Sequence, residues 1–139
     1  MRLIPVTWET EELLVRDALP ESDLERLQAI WEGTAYIGAF DGHPERNSAD
    51  MRRQLSEGDL PPAGTIERFR IQPLFSQGTC EMVGYATLYH GYPDDGTLWV
   101  TFFCVDRSGQ RQVTVGSLSK GWHGKRVARG FAGLCLPWP

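Results

Sequence analysis

Cysteine is scarce in this sequence, whose 139 residues include only Cys80, Cys104 and Cys135. Because their number is odd and they lie far apart, they form neither a disulfide framework nor a metal clip. We interpret them as buried thiols in a reducing compartment. The chain also has only three histidines, His43, His90 and His123. They show no metal-ligand spacing with one another or with the cysteines, so the sequence predicts no metal site.

Long apolar segments are absent as well. No apolar run approaches the ~18 residues that a membrane span requires, so we expect no membrane partner. Residues Met1–Pro5 lack the apolar stretch of a secretory signal, and the expected location is the cytoplasm. A content of 41% hydrophobic and 23% charged residues is ordinary for a globular protein. The length fits a single domain over residues 1–139.

Acidic residues are missing from the last part of the chain. The first 106 residues carry 18 acidic and eight basic side chains, a charge of −10, whereas the last 33 carry six basic ones, a charge of +6. This asymmetry predicts that the tail meets a phosphorylated ligand, nucleic acid or the protein's own acidic half. The tail lacks aromatic residues at stacking intervals, which argues against nucleic acid.

The N-terminal part predicts one strand and two helices. Glu12–Ala18 has an aliphatic centre and reads as a strand closed by Pro20. Ser22–Glu25 has a capping-box pattern and starts a predicted helix that ends at Gly33. Its apolar stripe consists of Leu24, Leu27, Ile30 and Trp31. A second helix is predicted over Ser48–Glu57, with Met51 and Leu55 on one face and Gly58 as its stop. Residues 38–47 and 59–64 read as irregular.

From Thr65 onward the hydrophobic period becomes that of a sheet. The segment Thr65–Ile71 alternates, and further strands are predicted over Cys80–Tyr89 and Leu98–Val105, where aromatic and β-branched residues dominate. The turn residues of Gly91–Gly96 favour an antiparallel pairing of the last two strands.

Three segments in this order resemble the GNAT family of N-acetyltransferases. Leu14–Ala18 followed by Asp23-Leu24 is similar to the family's opening strand and helix, and Met82–Ala86 is similar to its third strand. Phe103–Asp106 with Gln110 downstream is similar to the core strand that runs into the cofactor loop. The expected fold class is therefore α+β, a twisted and mostly antiparallel sheet with two N-terminal helices packed on it.

The resemblance implies transfer of an acetyl group from acetyl-CoA to a primary amine of a small molecule or peptide. In such enzymes the fourth strand, here Trp99–Val105, bulges away from its neighbour, and its backbone pairs with the pantetheine arm. The following loop presents backbone N–H groups to the pyrophosphate at a helix N-terminus. The implied cofactor-binding residues are Phe103, Cys104, Val105, Gln110, Arg111, Gln112, Val113, Thr114, Val115, Gly116 and Ser117.

The C-terminal part departs from the family pattern. Val113 and Val115 stand where the family loop has glycines, which allow the backbone to approach phosphates closely. Residues Gly116–Ala128 show no apolar helical stripe, and residues 131–136 are predicted to form a strand, so residues 116–139 are an atypical tail. We interpret this segment as out of frame or otherwise replaced relative to an intact ancestor. Sequencing the gene tests this, since a single-base shift near the Gln112 codon should restore the glycines. An alternative function is therefore a degenerate member that acts as a binding or dimerising module.

The resemblance also implies a base and contacts to the acceptor substrate, for which the sequence offers several candidate side chains. The candidate bases are His90, Glu81 and Glu67, the last two placed on strands near the expected cleft. The candidate substrate contacts are Trp31, Tyr36 and Tyr92. For each of them a structural role is the commoner explanation, such as a turn histidine, an exposed strand carboxylate or a core tryptophan. A sheet that ends in a short strand leaves an edge to be covered, so a homodimer is expected.

Overall fold

The computed structural model describes residues 4–35, 45–106 and 126–129. Its elements in chain order are β1 (Thr7–Glu9), β2 (Leu13–Arg16), α1 (Pro20–Gly33), α2 (Asp50–Glu57), a 3-10 turn (Ile66–Arg68), β3 (Phe69–Ser76), β4 (Met82–His90), β5 (Thr97–Val105) and β6 (Arg126–Arg129). The six strands form one sheet in the order of the sequence. Neighbours from β1 to β5 are antiparallel, and β6 is parallel to β5.

Both faces of the sheet are covered by apolar side chains. One face packs on the two helices and forms the helix-facing core, which consists of Leu27, Ile30, Trp31, Met51, Phe69, Ile71, Met82, Tyr85, Tyr89, Phe102 and Cys104. The opposite face forms a second core, which includes Trp8, Leu13, Val15, Leu74, Ala86, Leu88, Leu98 and Phe103. Because both faces are covered, every residue of β4 is buried and the strand reads as a continuous apolar run. The predicted α+β sheet with two packed helices is confirmed.

Helix α1 begins at Pro20, before the predicted capping box, and ends at Gly33 as predicted. Leu19 is its N-cap residue, and no side chain caps it. A proline suits the first helical position because its fixed φ is already helical and its missing N–H needs no partner. The Asp23 carboxylate accepts a hydrogen bond from the Leu19 N–H at 2.7 Å. The predicted reciprocal cap of Ser22 and Glu25 is therefore wrong, since the chain turns into the helix earlier.

Asp23 also joins this helix to β2. Its two carboxylate oxygens accept hydrogen bonds from the Arg16 guanidinium at 2.6 and 3.1 Å, and only 4% of the residue is exposed. Burial by itself raises the pKa of Asp23, but the hydrogen bonds from Arg16 and from the Leu19 N–H outweigh it, so the pKa lies below its ordinary value. The ionised carboxylate therefore contributes to folding stability.

The pH dependence of unfolding tests this contribution. A folded-state pKa below the unfolded value means that the stabilisation is present above about pH 4 and is lost as the pH falls through the folded-state value. We expect Asp23→Asn to lower the free energy of unfolding by about 1–3 kcal/mol at neutral pH and to flatten its acid dependence. Urea titrations across the acid range measure both effects. Asp95→Asn is the control, because the Asp95 side chain is 86% exposed.

Helix α2 and the start of β3 differ from their predicted bounds by a few residues. The helix begins at Asp50 rather than Ser48 and ends at Glu57, where Gly58 adopts a φ of 73° as the predicted stop. Residues Ile66–Arg68 form a 3-10 turn instead of the first part of a strand, so the alternation from Thr65 to Arg68 did not indicate an extended chain. The prediction that Glu67 lies on a strand is therefore wrong.

The β3–β4 turn changes the interpretation of one cysteine. Strand β4 begins at Met82 rather than at Cys80, and Cys80 has a φ of 61° in the preceding turn. Its thiol is exposed, whereas Cys104 is buried in β5. The prediction of buried thiols thus holds for Cys104 and is wrong for Cys80, and Cys135 lies outside the described residues.

Strand β6 was not predicted from the sequence. Residues Thr97–Val100 of β5 pair in parallel with Arg126–Arg129, in a segment whose sequence shows no strand periodicity. The predicted strand at 131–136 and the predicted loop at 38–47, apart from residues 45–47, fall outside the described residues. Among the residues that are described, no helix is long and apolar enough to cross a membrane.

Candidate functional site

The ladder between β4 and β5 is interrupted at one position near the middle of β5. Leu88 pairs with Val100, and the preceding residue Thr87 pairs with Phe102, so Thr101 is an extra residue on β5. Such an insertion is a β-bulge, which bends the strand and increases its twist. Beyond it the pairing of β5 with β4 continues to Val105.

The parallel ladder on the other side of β5 is described from Thr97 to Val100. Its last described pair joins Val100 to Arg129, directly before the extra residue. Among the described residues, no strand pairs with Thr101–Phe103 on this side. The bulge therefore lies directly after the part of β5 that pairs with the described residues of β6. The bulged part of β5, Thr101–Val105, is the candidate site.

Two threonine hydroxyl groups lie at the bulge. Oγ1 of Thr101 lies 2.5 Å from Oγ1 of Thr87 and 3.2 Å from the carbonyl oxygen of the same residue. The two residues are 5% and 1% exposed, respectively. Buried hydroxyl groups are tolerated when they are hydrogen-bonded, and both hydroxyl groups have a hydrogen-bond partner within this pair of residues.

The side chains after the bulge are held by the two cores. The Phe102 ring stacks on Tyr85 with 5.5 Å between centroids and meets Trp31 edge-on at 5.4 Å. Cys104 packs in the same helix-facing core, and Phe103 and Val105 pack in the second core. Because these side chains are engaged in packing, a ligand along this part of β5 would meet main-chain groups rather than side chains.

The end of β5 is tied to both β4 and α1. The N–H of Asp106 donates a hydrogen bond to the Val83 carbonyl at 2.7 Å, so the first amide after Val105 is already hydrogen-bonded to β4. Arg26 of α1 pairs with the Asp106 carboxylate at 2.5 Å and donates to the Met82 carbonyl at 3.2 Å. A phosphate-binding turn therefore has to start beyond Asp106. The predicted loop, Gln110 to Ser117, lies outside the described residues.

The three candidate bases are not brought together. Glu67 is exposed on the 3-10 turn, and Glu81 is exposed in front of β4. His90 ends β4 and is 2% exposed. An extended strand rises about 3.3 Å per residue, so Glu81 and His90 lie roughly 30 Å apart. His90 pairs with Leu98, three residues before Thr101, which places it about 10 Å along the strands from the bulge. Their catalytic roles stay predictions.

The candidate substrate contacts also differ in their surroundings. Trp31 is buried, and its indole N–H donates to the Asp50 carboxylate at 2.8 Å, which makes it a core residue that supports Phe102. Tyr36 lies outside the described residues. Tyr92 is half-buried and stacks on Trp99 with 4.5 Å between ring centroids. Because Trp99 lies two residues before Thr101, this aromatic pair lies beside the bulge.

Sequence reasoning missed the residues that define the site. Thr87, Trp99 and Thr101 all lie in strands that were predicted, but their side chains were not singled out. A signal was present in Thr87 and Thr101, which are polar residues inside otherwise apolar central strands. Buried polar residues in such strands indicate a specific partner.

No family model and no curated protein matches the sequence. The fold matches an acetyltransferase from Thermus thermophilus with a TM-score of 0.62 at 23% identity, over 84% of this chain and 74% of that chain. It matches a "possible acetyltransferase" from Clostridium difficile with a TM-score of 0.54 at 11% identity, over 89% and 80%.

A third match is the GCN5-related glucosamine N-acetyltransferase region of a fungal multi-domain GH3 β-N-acetylglucosaminidase. Its TM-score is 0.57 at 16% identity, over 85% of this chain. The present chain spans only 13% of that multi-domain protein. Together with the sheet order and the two helices, these matches show that the chain has the GNAT fold.

Proposed function

We propose that this protein is an N-acetyltransferase that transfers an acetyl group from acetyl-CoA to a primary amine. The observation that carries the proposal is the β-bulge at Thr101, which interrupts the ladder between the central strands β4 and β5. The similarity of fold to proteins named acetyltransferases adds support. The acceptor amine is left open.

We expect the main chain of the bulged part of β5 to bind the pantetheine arm of acetyl-CoA. This arm is an extended chain with amide groups, and such a chain binds a strand edge through main-chain hydrogen bonds, as an added strand does. Main-chain bonding does not depend on side-chain type, so the apolar sequence of Thr101–Phe103 is compatible with it. The side chains of Phe102 and Phe103 stay in the cores, which keeps the strand rigid under the ligand.

The chemistry is a direct transfer. The amine nitrogen attacks the thioester carbonyl carbon, a C–N bond forms, and the C–S bond breaks with release of the coenzyme A thiolate. A base removes the proton of the attacking nitrogen, and hydrogen-bond donors stabilise the oxyanion of the tetrahedral intermediate. His90 is the first candidate base to test, because it ends the strand next to β5 and lies about 10 Å along the strands from the bulge.

A second candidate function is a family member without catalytic activity that binds a partner or forms a dimer. Val113 and Val115, in place of the loop glycines, favour it, because β-branched residues resist the close approach of the backbone to phosphates. This function predicts weak acetyl-CoA binding or none. A cytoplasmic location and a homodimer are compatible with both functions and form part of the proposal.

Thermal denaturation in the presence of acetyl-CoA separates the two functions. A ligand specific for the native state stabilises it by about 2.7 kcal/mol at a concentration 100-fold above its Kd. We expect a saturable rise in Tm with acetyl-CoA, a 1:1 isotherm by calorimetry, and release of free thiol when a panel of primary amines is added. A flat thermal response and a flat isotherm would exclude the transferase and support the binding module. Acetate at matched ionic strength is the control.

A further inference from the structure

The bulge in β5 requires something to hold it in place. Leu88 and Thr87 are consecutive in β4, yet they pair with Val100 and Phe102, which are separated by Thr101. The extra residue of a bulge leaves the regular ladder, so the backbone by itself does not determine where the insertion lies. A migration of the bulge by one residue toward the C-terminus would pair Thr101 with Thr87 and make Phe102 the extra residue, whereas loss of the bulge would turn all the following side chains to the other face of the sheet.

The two threonines form a closed hydrogen-bonded arrangement at this position. A hydroxyl group has one hydrogen, so Thr101 donates to the Thr87 carbonyl oxygen at 3.2 Å, and Thr87 donates to Thr101 Oγ1 at 2.5 Å. Every hydrogen of the pair is used, and no water is needed. Thr101, the extra residue, is therefore hydrogen-bonded to Thr87, the residue of β4 next to the insertion.

The aromatic packing after the bulge depends on this register. Phe102 lies between Tyr85 and Trp31 only because it is the residue that pairs with Thr87. If the bulge moved one residue toward the C-terminus, Phe102 would lose this partner and leave the helix-facing core, and the course of β5 at the bulge would change.

We propose that the hydroxyl pair of Thr87 and Thr101 is a positioning device that fixes the bulge in β5 and thereby sets the affinity of the protein for acyl-CoA. This inference rests on the proposed function. Neither hydroxyl touches the ligand, since both are directed to each other inside the sheet. The pair acts through the β5 main chain, whose edge receives the pantetheine arm.

Valine substitutions test the proposal because valine has nearly the shape of threonine without the hydroxyl. Thr101→Val removes both hydrogen bonds of the pair and leaves the Thr87 hydroxyl hydrogen without its acceptor, and we expect this variant to bind acetyl-CoA about tenfold more weakly, the size of a change worth one hydrogen bond. Thr87→Val keeps the bond from Thr101 to the main-chain carbonyl at position 87, so we expect a smaller loss of affinity. Thr101→Ser keeps the hydroxyl and is expected to bind as the wild type does. Thr97→Val is the matched control, because Thr97 is a buried threonine of the same strand outside the bulge, and its hydroxyl donates to the Asp94 carboxylate.

The double variant Thr87→Val with Thr101→Val separates positioning from stability. Replacing both partners by apolar groups of similar shape restores much of the free energy of unfolding. We expect urea unfolding to recover in the double variant while the acetyl-CoA affinity stays about tenfold below that of the wild type. A purely structural role predicts instead that affinity recovers together with stability, and that result would overturn the proposal.

Backbone NMR of the unliganded protein tests the same device without the ligand. Cross-strand contacts should join Thr87 to Phe102 and Leu88 to Val100 in the wild type, in Thr101→Ser and in Thr97→Val. They should weaken or shift in the valine variants of the pair. If they are unchanged in the double variant, the positioning proposal is wrong even where acetyl-CoA binds. If the wild type shows these contacts but gives a flat acetyl-CoA isotherm, the proposed function fails and the link to acyl-CoA affinity fails with it.

Discussion

Substitution of Gly84 by alanine is expected to lower the free energy of unfolding by about 4 kcal/mol or more, enough to unfold a marginally stable domain. Gly84 lies in β4 opposite Val105. A Cβ atom built on it would lie 2.1 Å from the Cys104 carbonyl oxygen and 2.9 Å from the Val105 Cα. Both obstacles are main-chain atoms, so no side-chain rotation relieves the clash and the two central strands must move apart.

Equilibrium urea unfolding of Gly84→Ala measures this effect, and the yield of folded protein gives a second readout. Gly33→Ala is the matched control, because no heavy atom lies within 4 Å of a Cβ at the end of α1. A glycine-to-alanine change in a helix stabilises by up to about 1 kcal/mol, so this variant should be neutral or slightly more stable. A Gly84→Ala protein within about 1 kcal/mol of the wild type would mean that β4 and β5 are farther apart here than the structure shows.

The steric role of Gly84 explains one of the segments that resemble the GNAT family. Met82–Ala86 contains this glycine in the middle of a strand, where glycine usually weakens a sheet. Its presence there is accounted for by the close approach of the β5 main chain to β4. The resemblance therefore reflects a packing requirement of the fold, and by itself it says nothing about catalysis.

The central strands and the end of each helix could be predicted because their signals are local. Aromatic and β-branched residues over Leu98–Val105 predicted β5 to within one residue. Gly58 predicted the end of α2, because a φ of 73° suits glycine. The start of α1 was misplaced because Pro20 was interpreted as the end of a strand, although a proline also suits the first turn of a helix.

The geometry of the candidate site could not be predicted, because it depends on register between strands. The sequence shows Thr87 and Thr101 but not that they face each other across a bulge. Glu67 and Glu81 were both expected near one cleft, and the structure places one on a 3-10 turn and the other at the far end of β4 from His90. Strand β6 has no period of its own and is defined by its partner β5.

Gln72 is another residue whose role only the fold reveals, and Gln72→Leu is expected to lower the free energy of unfolding by about 3 kcal/mol or more. Its side chain has no exposure to water. Its Oε1 accepts from the Trp8 indole N–H at 3.1 Å, and its Nε2 donates to the Pro5 carbonyl and to the Asp17 carboxylate, both at 2.8 Å. Leucine would fill the space and leave all three partners without this bond.

The effect is expected to be large because Gln72 supplies three hydrogen bonds from a fully buried position, and water cannot replace the buried one from Trp8. The Asp17 carboxylate keeps its ion pair with Arg70 at 2.6 Å, but the Pro5 carbonyl loses the bond that the buried amide supplies. Each buried group left unsatisfied costs about 1–3 kcal/mol. Gln77→Leu is the matched control, because the Gln77 amide also bridges two main-chain carbonyls, those of Thr10 and Leu13, but is exposed. We expect this control to cost less than about 1 kcal/mol, since water takes the place of the amide.

A double-mutant cycle that combines Gln72→Leu with Trp8→Phe measures the contribution of the hydrogen bond between β1 and β3 to stability. Trp8 lies on β1 and Gln72 on β3, with β2 between them, so their hydrogen bond links strands that do not pair directly. Phenylalanine removes the indole N–H and leaves a ring in the second core. Once the N–H is gone, the loss of the Gln72 Oε1 acceptor costs less, so the two substitutions should be less than additive by about 1 kcal/mol. Strict additivity would show that the link contributes nothing, and that the short strand β1 is held by its pairing with β2 and its apolar contacts.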